Sequence, residues 1–226
     1  MEIRNLILEV TRRCNMSCEH CLRGDAENLD LKKEYVDTLL DQLDGGWISS
    51  VTFTGGEPSL NVPIIEYFLN EIIRRNIGLG FFYIATNGLK ISVEFIIVCL
   101  RLYSYSDEKD MCTIDVSNDY YHQCENDYNT DLLDGLSFFK RKFSIEGYDY
   151  DGGRRVLREG RGEDFGGNNI TVQTVETIED LEETEIYLNC EGKIINGCDW
   201  SYKNQKKHIL CEVENLETYY KTLEEV

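Results

Sequence analysis

The sequence predicts an α/β fold in which helices cover a parallel β-sheet. Two features support this prediction. Apolar, β-branched segments alternate along the chain with segments whose apolar residues recur at helical spacing, a pattern typical of parallel sheets with right-handed crossovers. The 226 residues, 42% of them hydrophobic, are enough for one large domain, or for one domain with a small appendage.

The first half of the chain supplies the clearest strand–helix units. A short apolar strand (6–11) ends at a cysteine-rich loop, and the segment 31–43 then places apolar residues on one helical face. The strand at 50–58 is stopped by two glycines. The next helix, 61–75, starts with Asn61 as its cap and carries a proline in its first turn.

The pattern continues into the second half of the chain and then weakens. Residues 78–88 predict a buried strand, and 92–105 are apolar nearly all round, which favours a buried helix. A further strand, 111–119, ends in polar residues, and 130–142 predict a helix. The stretch 144–168 is rich in glycine and charge, which indicates either a functional lid or a disordered segment.

The C-terminal part carries three more predicted elements. The segments 169–176 and 185–195 predict strands, the second with a hairpin turn at a Glu-Gly pair, and 216–226 predict a closing helix. The acidic block 177–188 favours a solvated face, with a docking surface for a basic partner as the alternative.

Composition argues against several classes of protein. The formal net charge is −19 and no long Lys/Arg run occurs, so we expect no nucleic-acid partner. No apolar run is long enough to span a bilayer, and MEIRNLILEV carries charges where a signal peptide needs an apolar block. We therefore expect a cytoplasmic protein with no membrane partner, whose nine cysteines do not form a full disulfide framework.

Three cysteines stand in one short loop, TRRCNMSCEHCLRG, at Cys14, Cys18 and Cys21. A structural zinc site usually takes four ligands, often from Cys-x2-Cys pairs. Three thiolates in one loop instead fit three irons of a cubane cluster and leave the fourth iron open for a substrate or cofactor. Ordinary buried thiols are the remaining alternative.

The loop resembles the signature of the radical S-adenosylmethionine (SAM) enzymes, in which Cys-x3-Cys-x-φ-Cys follows a first strand. The resemblance implies that Cys14, Cys18 and Cys21 hold a [4Fe-4S] cluster, and that its open iron binds the amino and carboxylate groups of SAM. Position φ is usually aromatic and lies beside the adenine of SAM. Here it is His20, whose planar ring can stack.

A second motif, TGGEP, follows the next predicted strand and resembles the Gly-Gly-Glu motif of the same family. The resemblance implies that Gly55, Gly56 and Glu57 bind the methionine amino group of SAM. A backbone without side chains can approach a ligand closely, and a carboxylate can accept hydrogen bonds from an ammonium. Gly-Gly alone would only indicate a turn.

Two more strand ends continue the series. ATNG resembles Thr-Asn-Gly ends that lie near SAM in the family, which implies a role for Thr86 and Asn87. DVSND resembles strand ends that contact the ribose hydroxyls, which implies this role for Ser117, Asn118 and Asp119. The alternative for both motifs is a polar strand end that leads into a turn.

The family resemblance also implies an architecture, a partial (β/α)6 TIM-like barrel with a short C-terminal extension. We expect the radical SAM core over residues 1–180 and the extension over 181–226. Six strands are available only if 169–176 and 185–195 both join the sheet. All four motifs then lie at the carboxyl ends of strands, where α/β barrels place their sites.

The C-terminal extension resembles the opening of the SPASM or Twitch extensions of peptide-modifying radical SAM enzymes. Those extensions hold auxiliary clusters through further cysteines, but only Cys190, Cys198 and Cys211 are available here. A truncated extension without a cluster is therefore favoured, and a three-thiolate site stays open as the alternative. The remaining cysteines, 99, 112 and 124, are interpreted as core thiols.

Four more residues have two interpretations each. Arg158, Arg161 and Glu163 form either a solvated charged loop or a clamp, through arginine, for the carboxylate of SAM or the substrate. His122 is either structural or a proton donor near the ribose. The arginines beside the cysteine loop, Arg12, Arg13 and Arg23, would offset the negative charge of a cluster.

The resemblance implies an enzyme that reductively cleaves SAM to a 5′-deoxyadenosyl radical, which abstracts hydrogen from a substrate. A flavodoxin or ferredoxin would supply the electron, and no catalytic side chain is assigned. The extension favours a peptide or protein substrate. The alternatives are a glycyl-radical-enzyme activase, a small heterocycle synthase and, ranked below these, a non-catalytic Fe–S or zinc redox module.

Overall fold

The structure is a computed structural model that describes most of the chain. The described residues are 2–43, 45–89, 91–118, 122, 131–143, 157–165, 175–177 and 185–224. They form one eight-stranded sheet in the order β5-β4-β3-β2-β1-β6-β7-β8. Six strands, β1 to β6, run parallel, and β7 and β8 continue the sheet as antiparallel neighbours. The predicted α/β fold with a parallel sheet is thereby confirmed.

The elements of the described part follow the chain in order. The strands are β1 (Glu2–Thr11), β2 (Trp47–Gly55), β3 (Gly78–Thr86), β4 (Thr113–Asn118), β5 (Phe139–Phe143), β6 (Ile186–Leu188), β7 (Lys193–Asn196) and β8 (Ile209–Glu212). The helices are α1 (Lys33–Asp41), α2 (Val62–Arg74), α3 (Val93–Tyr105) and α4 (Leu216–Glu224). None of these helices is long and apolar enough to cross a membrane.

Strand β1 lies in the middle of the sheet, paired with β2 on one side and β6 on the other. Successive side chains of a strand point to opposite faces of the sheet, and on β1 both faces are buried along most of its length. Leu6 and Leu8 belong to the main core, which the helices share, whereas Ile7 packs against Tyr187 and Ile195 on the opposite face. Side chains of β6 and β7 therefore form a second apolar cluster with β1 on the face of the sheet opposite the main core.

The helices largely follow the predicted faces. Helix α2 begins after Asn61 as predicted, but the Asn61 amide donates to the Val10 carbonyl at 2.7 Å and does not cap the helix. Helix α3 is capped by Ser92, whose hydroxyl accepts from the Phe95 N–H. The prediction of a buried helix at 92–105 holds for one face only, since Ile97 is 51% exposed.

The helix predicted over 130–142 is wrong where the structure describes it. Residues 131–135 form turns, and the strand β5 follows at Phe139–Phe143. Gly135 weakens any helix there. Phe138 is buried next to this strand and stacks on Tyr103 with 4.5 Å between ring centroids. The short apolar run is compatible with the periodicity of a helix or of a strand, and packing against the core stabilises the strand.

The two strands predicted near the C-terminus have different outcomes. The segment 185–195 does form a hairpin, β6 and β7, and β6 joins the sheet beside β1. Most of 169–176 lies outside the described residues, as do 144–156 of the glycine-rich stretch. The predicted boundary between residues 180 and 181 also falls outside them and stays a prediction.

Candidate cofactor site at the carboxyl ends of the strands

The three cysteines of the first loop line one cavity at the carboxyl end of β1. Cys14, Cys18 and Cys21 are free thiols, each half-buried, and Gly56 and Tyr202 belong to the same cavity wall. Because β1, β2 and β3 are parallel, the loops that follow them meet at this edge. The structure therefore brings together residues that are far apart in sequence.

The cysteine loop is folded by its own backbone and not by a disulfide. The Cys21 N–H donates to the Cys18 carbonyl at 3.2 Å, and the Gly24 N–H donates to the Cys21 carbonyl at the same distance. Burial raises the pKa of Cys14, although the Met16 N–H, 3.4 Å from its sulfur, favours the thiolate. The loop thus keeps all three thiols available as ligands.

The two glycines of TGGEP are required by the approach of β2 to this loop. A Cβ on Gly55, whose φ is +140°, would lie 2.0 Å from the Thr11 carbonyl oxygen, and a Cβ on Gly56 would lie 2.3 Å from the Arg13 carbonyl oxygen. The Gly56 N–H donates to the Thr11 carbonyl at 2.8 Å. The glycines therefore fix the end of β2 against the start of the cysteine loop.

Glu57 joins the second and third motifs in the interior of the site. Its carboxylate, 1% exposed, accepts from the Thr86 hydroxyl at 2.6 Å, the Asn87 N–H at 2.7 Å and the Ser59 N–H at 3.0 Å. Burial raises its pKa against the effect of these donors. The Asn87 amide in turn donates to the Asn15 side chain at 2.8 Å. TGGEP, ATNG and the cysteine loop thus form one hydrogen-bonded unit.

Replacing Glu57 by alanine is expected to lower the free energy of unfolding by about 1–3 kcal/mol, because buried donors lose their acceptor. The measurement is urea denaturation of the cofactor-free protein. Glu66→Ala is the matched control, since Glu66 is an exposed carboxylate paired with Arg101 on the helix surface. Equal stability of both variants would contradict the joining role of Glu57.

The segment 157–165 stabilises the cysteine loop through hydrogen bonds and close backbone contact. Arg161 donates through Nε to the Cys18 carbonyl at 2.9 Å and through its backbone N–H to the Cys21 carbonyl at 2.9 Å. Gly160, with φ +57°, lies so close that a Cβ would be 2.3 Å from the Leu22 carbonyl oxygen. Arg161 is therefore engaged with the loop, and Arg158 and Glu163 are exposed.

A buried hydrogen-bond network, which sequence reasoning missed, connects β1 to the C-terminal strands. Glu9, fully buried, accepts from Arg12 Nε at 2.7 Å, the Tyr187 hydroxyl at 2.6 Å and Gln205 Nε2 at 2.7 Å. Burial opposes its charge, but Arg12 and Arg23 hold the pKa of Glu9 below its usual value. The signal in the sequence was a lone carboxylate inside the apolar strand LILEVT.

The other predicted residues have mixed outcomes. His20 contacts His122 edge to face, with 4.8 Å between ring centroids, so the two histidines form one aromatic pair. Ser117 is half-buried near the end of β4, and Asn118 is the last residue of that strand. Asp119 lies outside the described residues.

The cysteines of the C-terminal strands are not assembled into a metal site in the described part of the chain, where no three Cys, His, Asp or Glu side chains are grouped around one point. Cys190 instead donates to the Glu9 carbonyl at 2.9 Å. Burial raises the pKa of Cys211 to about 12. Cys99 and Cys112 are buried in the core as predicted, and Cys124 lies outside the described residues.

This arrangement defines a class: a parallel α/β protein with a thiol-lined cofactor cavity at the carboxyl ends of its strands. Residues 8–105 match the family model described as the radical SAM superfamily. This matched segment contains the cysteine loop, TGGEP and ATNG. The resemblance of the sequence to this family is thereby confirmed, whereas the SPASM-like nature of the extension stays a prediction.

Two curated relatives each match a part of the chain. GTP 3′,8-cyclase from Chlorobaculum tepidum is 36% identical over 84 residues, 36% of this chain and 25% of the relative. Mycofactocin maturase MftC from Mycolicibacterium smegmatis is 29% identical over 91 residues, 39% of this chain and 22% of the relative. The matched segments thus span about a quarter of these relatives.

The fold extends the likeness to nearly the whole chain. The structure of anSMEcpe with bound AdoMet and Kp18Cys peptide has a TM-score of 0.59 to this chain at 12% identity, and the match covers 97% of this chain and 80% of that one. At this identity the match establishes the fold, including the C-terminal strands. It does not depend on the cysteine motif alone.

The cofactors of this superfamily, a [4Fe-4S] cluster and SAM, fit the residues present. Three free thiols line one cavity, and a cubane cluster takes each thiolate on its own iron, so the ligands need not converge on one point. Gly56, without a side chain, belongs to the same wall. The site therefore offers a thiolate set beside a glycine of the cavity wall.

Proposed function

We propose that this chain is a radical SAM enzyme, with Cys14, Cys18 and Cys21 as the ligands of its [4Fe-4S] cluster. The observation that carries the proposal is the single cavity that these free thiols share with Gly56, at the carboxyl ends of parallel strands. When bound and reduced, the cluster supplies the electron that splits SAM into methionine and a 5′-deoxyadenosyl radical, which abstracts hydrogen from the substrate.

The proposed roles of the chain's own residues follow from their positions. Gly55 and Gly56 offer backbone to the methionine end of SAM, close to the cysteine loop. Glu57 Oε1 already accepts two hydrogen bonds, whereas Oε2 accepts one, from Asn87 N–H, and keeps a lone pair for the SAM ammonium. Thr86 orients this carboxylate.

The proposed adenosine end of the site lies on other elements. His20, held edge to face against His122, presents an aromatic ring for the adenine. The end of β4 is assigned to the ribose, through the following residues: Ser117, Asn118 and Asp119. An external one-electron donor of the flavodoxin or ferredoxin type reduces the site, and a reducing cytoplasm suits a protein whose described cysteines are free.

For the substrate we favour a peptide or protein. The support is the fold match to anSMEcpe, which was solved with a bound peptide and shares the C-terminal strands. The name of the maturase relative points the same way. A small-molecule substrate is the second candidate, favoured by the likeness to GTP 3′,8-cyclase over 84 residues.

Anaerobic reconstitution with iron and sulfide, followed by reduction in the presence of SAM, tests the activity. We expect methionine and 5′-deoxyadenosine to form in equal amounts, and only with reductant. Absence of both products from a protein that holds its cluster would contradict the proposal. A peptide that raises the 5′-deoxyadenosine yield would support the first substrate class, and GTP in the same role would support the second.

A further inference from the structure

The cavity wall contains a buried hydroxyl that the proposed roles do not use. Tyr202, from the C-terminal part of the chain, is 4% exposed and lines the cavity beside Cys14, Cys18 and Cys21. Its Oη has no hydrogen-bond partner among the residues that the structure describes. A buried donor without a partner costs about 1–3 kcal/mol, so such a group calls for an explanation.

The position of Tyr202 is fixed by a contact over its ring and by backbone hydrogen bonds. The Arg12 guanidinium lies over the ring, 4.6 Å from its centroid. The Tyr202 N–H donates to the Arg23 carbonyl at 3.2 Å, and the preceding Ser201 N–H donates to Glu159 at 3.0 Å. The ring and backbone of this cavity-lining residue are thus held by contacts to three other segments.

The hydroxyl is also held in its donor form. Burial raises the pKa of Tyr202, and the negative charge of Glu9 raises it further. The neighbouring arginines are engaged elsewhere: Arg12 donates to Glu9 and Glu27, and Arg23 donates to the Trp200 carbonyl at 2.7 Å. Tyr202 is therefore a neutral donor at physiological pH, placed beside the thiols.

We propose that Tyr202 Oη donates a hydrogen bond to a sulfur atom of the cysteine-bound cluster and raises the cluster's reduction potential. Hydrogen bonds to cluster sulfur favour the more negative, reduced state. The inference rests on the proposed function. It gives the C-terminal part of the chain a role at the cluster that requires no auxiliary metal, since the connection between β7 and β8 supplies the donor.

The test is the midpoint potential of the reconstituted protein without SAM, followed by electron paramagnetic resonance (EPR). We expect Tyr202→Phe to make reduction about tenfold less favourable, about 59 mV more negative for a one-electron couple. Tyr105→Phe is the matched control, because it removes a hydroxyl bonded to the Ile77 carbonyl near the start of β3, at the other end of the strands. It should leave the potential unchanged.

A second variant keeps the proposal open to contradiction if Tyr202→Phe assembles no cluster. A fluorinated tyrosine at position 202 is a stronger donor of the same shape, so it should shift the potential in the positive direction. An unchanged potential in both variants would overturn the proposal. So would a change in SAM affinity alone, since the hydroxyl would then serve SAM. Failure of the wild type to assemble a cluster would instead overturn the proposed function, and this inference with it.

Discussion

Replacing Cys14, Cys18 and Cys21 together by alanine is expected to leave a folded chain that binds no [4Fe-4S] cluster. The thiols are half-buried in the cavity wall, and the loop is held by backbone hydrogen bonds and by Arg161. Loss of the thiols therefore removes the ligands and leaves the scaffold. Iron and sulfide content and charge-transfer absorption after anaerobic reconstitution measure the effect.

Cys198→Ala provides the matched control for the triple variant. Cys198 is also half-buried and free, but it lies in the C-terminal part of the chain, away from the cysteine loop in sequence. We expect it to retain the full iron content. Full absorption and SAM cleavage by the triple variant would contradict the ligand assignment, and zinc in place of iron in the wild type would favour the non-catalytic alternative.

Replacing Glu9 by alanine is expected to produce the largest loss of stability, about 3–5 kcal/mol, because it removes the buried partner of Arg12 and leaves only the exposed carboxylates Glu27 and Glu191. Arg12 is 3% exposed and lies 2.7 Å from the Glu9 carboxylate. The same change removes the acceptor of the Tyr187 and Gln205 donors, which join the C-terminal strands to β1. Urea denaturation at neutral pH gives the free energy of unfolding.

The stabilisation by Glu9 should depend on pH in a defined direction. Its pKa in the folded protein is lowered, because the pull of Arg12 and Arg23 outweighs the opposing effect of burial. Its contribution is therefore complete above the pKa of an unfolded glutamate, about 4.3, and is lost as the pH falls through the folded value. The difference in the free energy of unfolding between wild type and Glu9→Ala should narrow as the pH falls below about 4.3. A difference that stays constant would contradict the assignment.

Sequence reasoning predicted which loops meet at the candidate site, but it missed the buried residues that stabilise this arrangement. The motifs at the ends of β1, β2 and β3 were predictable because short spacing within one loop and polar strand ends are local signals. Glu9 was missed because its partners Tyr187 and Gln205 lie 178 and 196 residues away. The placement of β6 beside β1 is equally non-local, and no periodicity within the strand predicts it.

The arginines show a second limit of sequence reasoning. Arg12 and Arg13 were predicted to offset the charge of a cluster, but the structure pairs Arg12 with Glu9 and Arg13 with Asp30. Their positive charge is largely neutralised by these acidic partners, which a count of charges near the loop does not reveal. For Arg161 the sequence left a solvated loop and a carboxylate clamp open, and in the structure its Nε donates to the Cys18 carbonyl.

The proposal that SAM meets an open iron in this cavity has one decisive spectroscopic test. The reduced, reconstituted protein is examined by EPR before and after SAM is added. We predict the signal of a reduced [4Fe-4S] cluster, with a change in line shape and g-values on addition of SAM, since SAM occupies the iron that Cys14, Cys18 and Cys21 leave open. A cluster signal that SAM leaves unchanged would contradict the assignment.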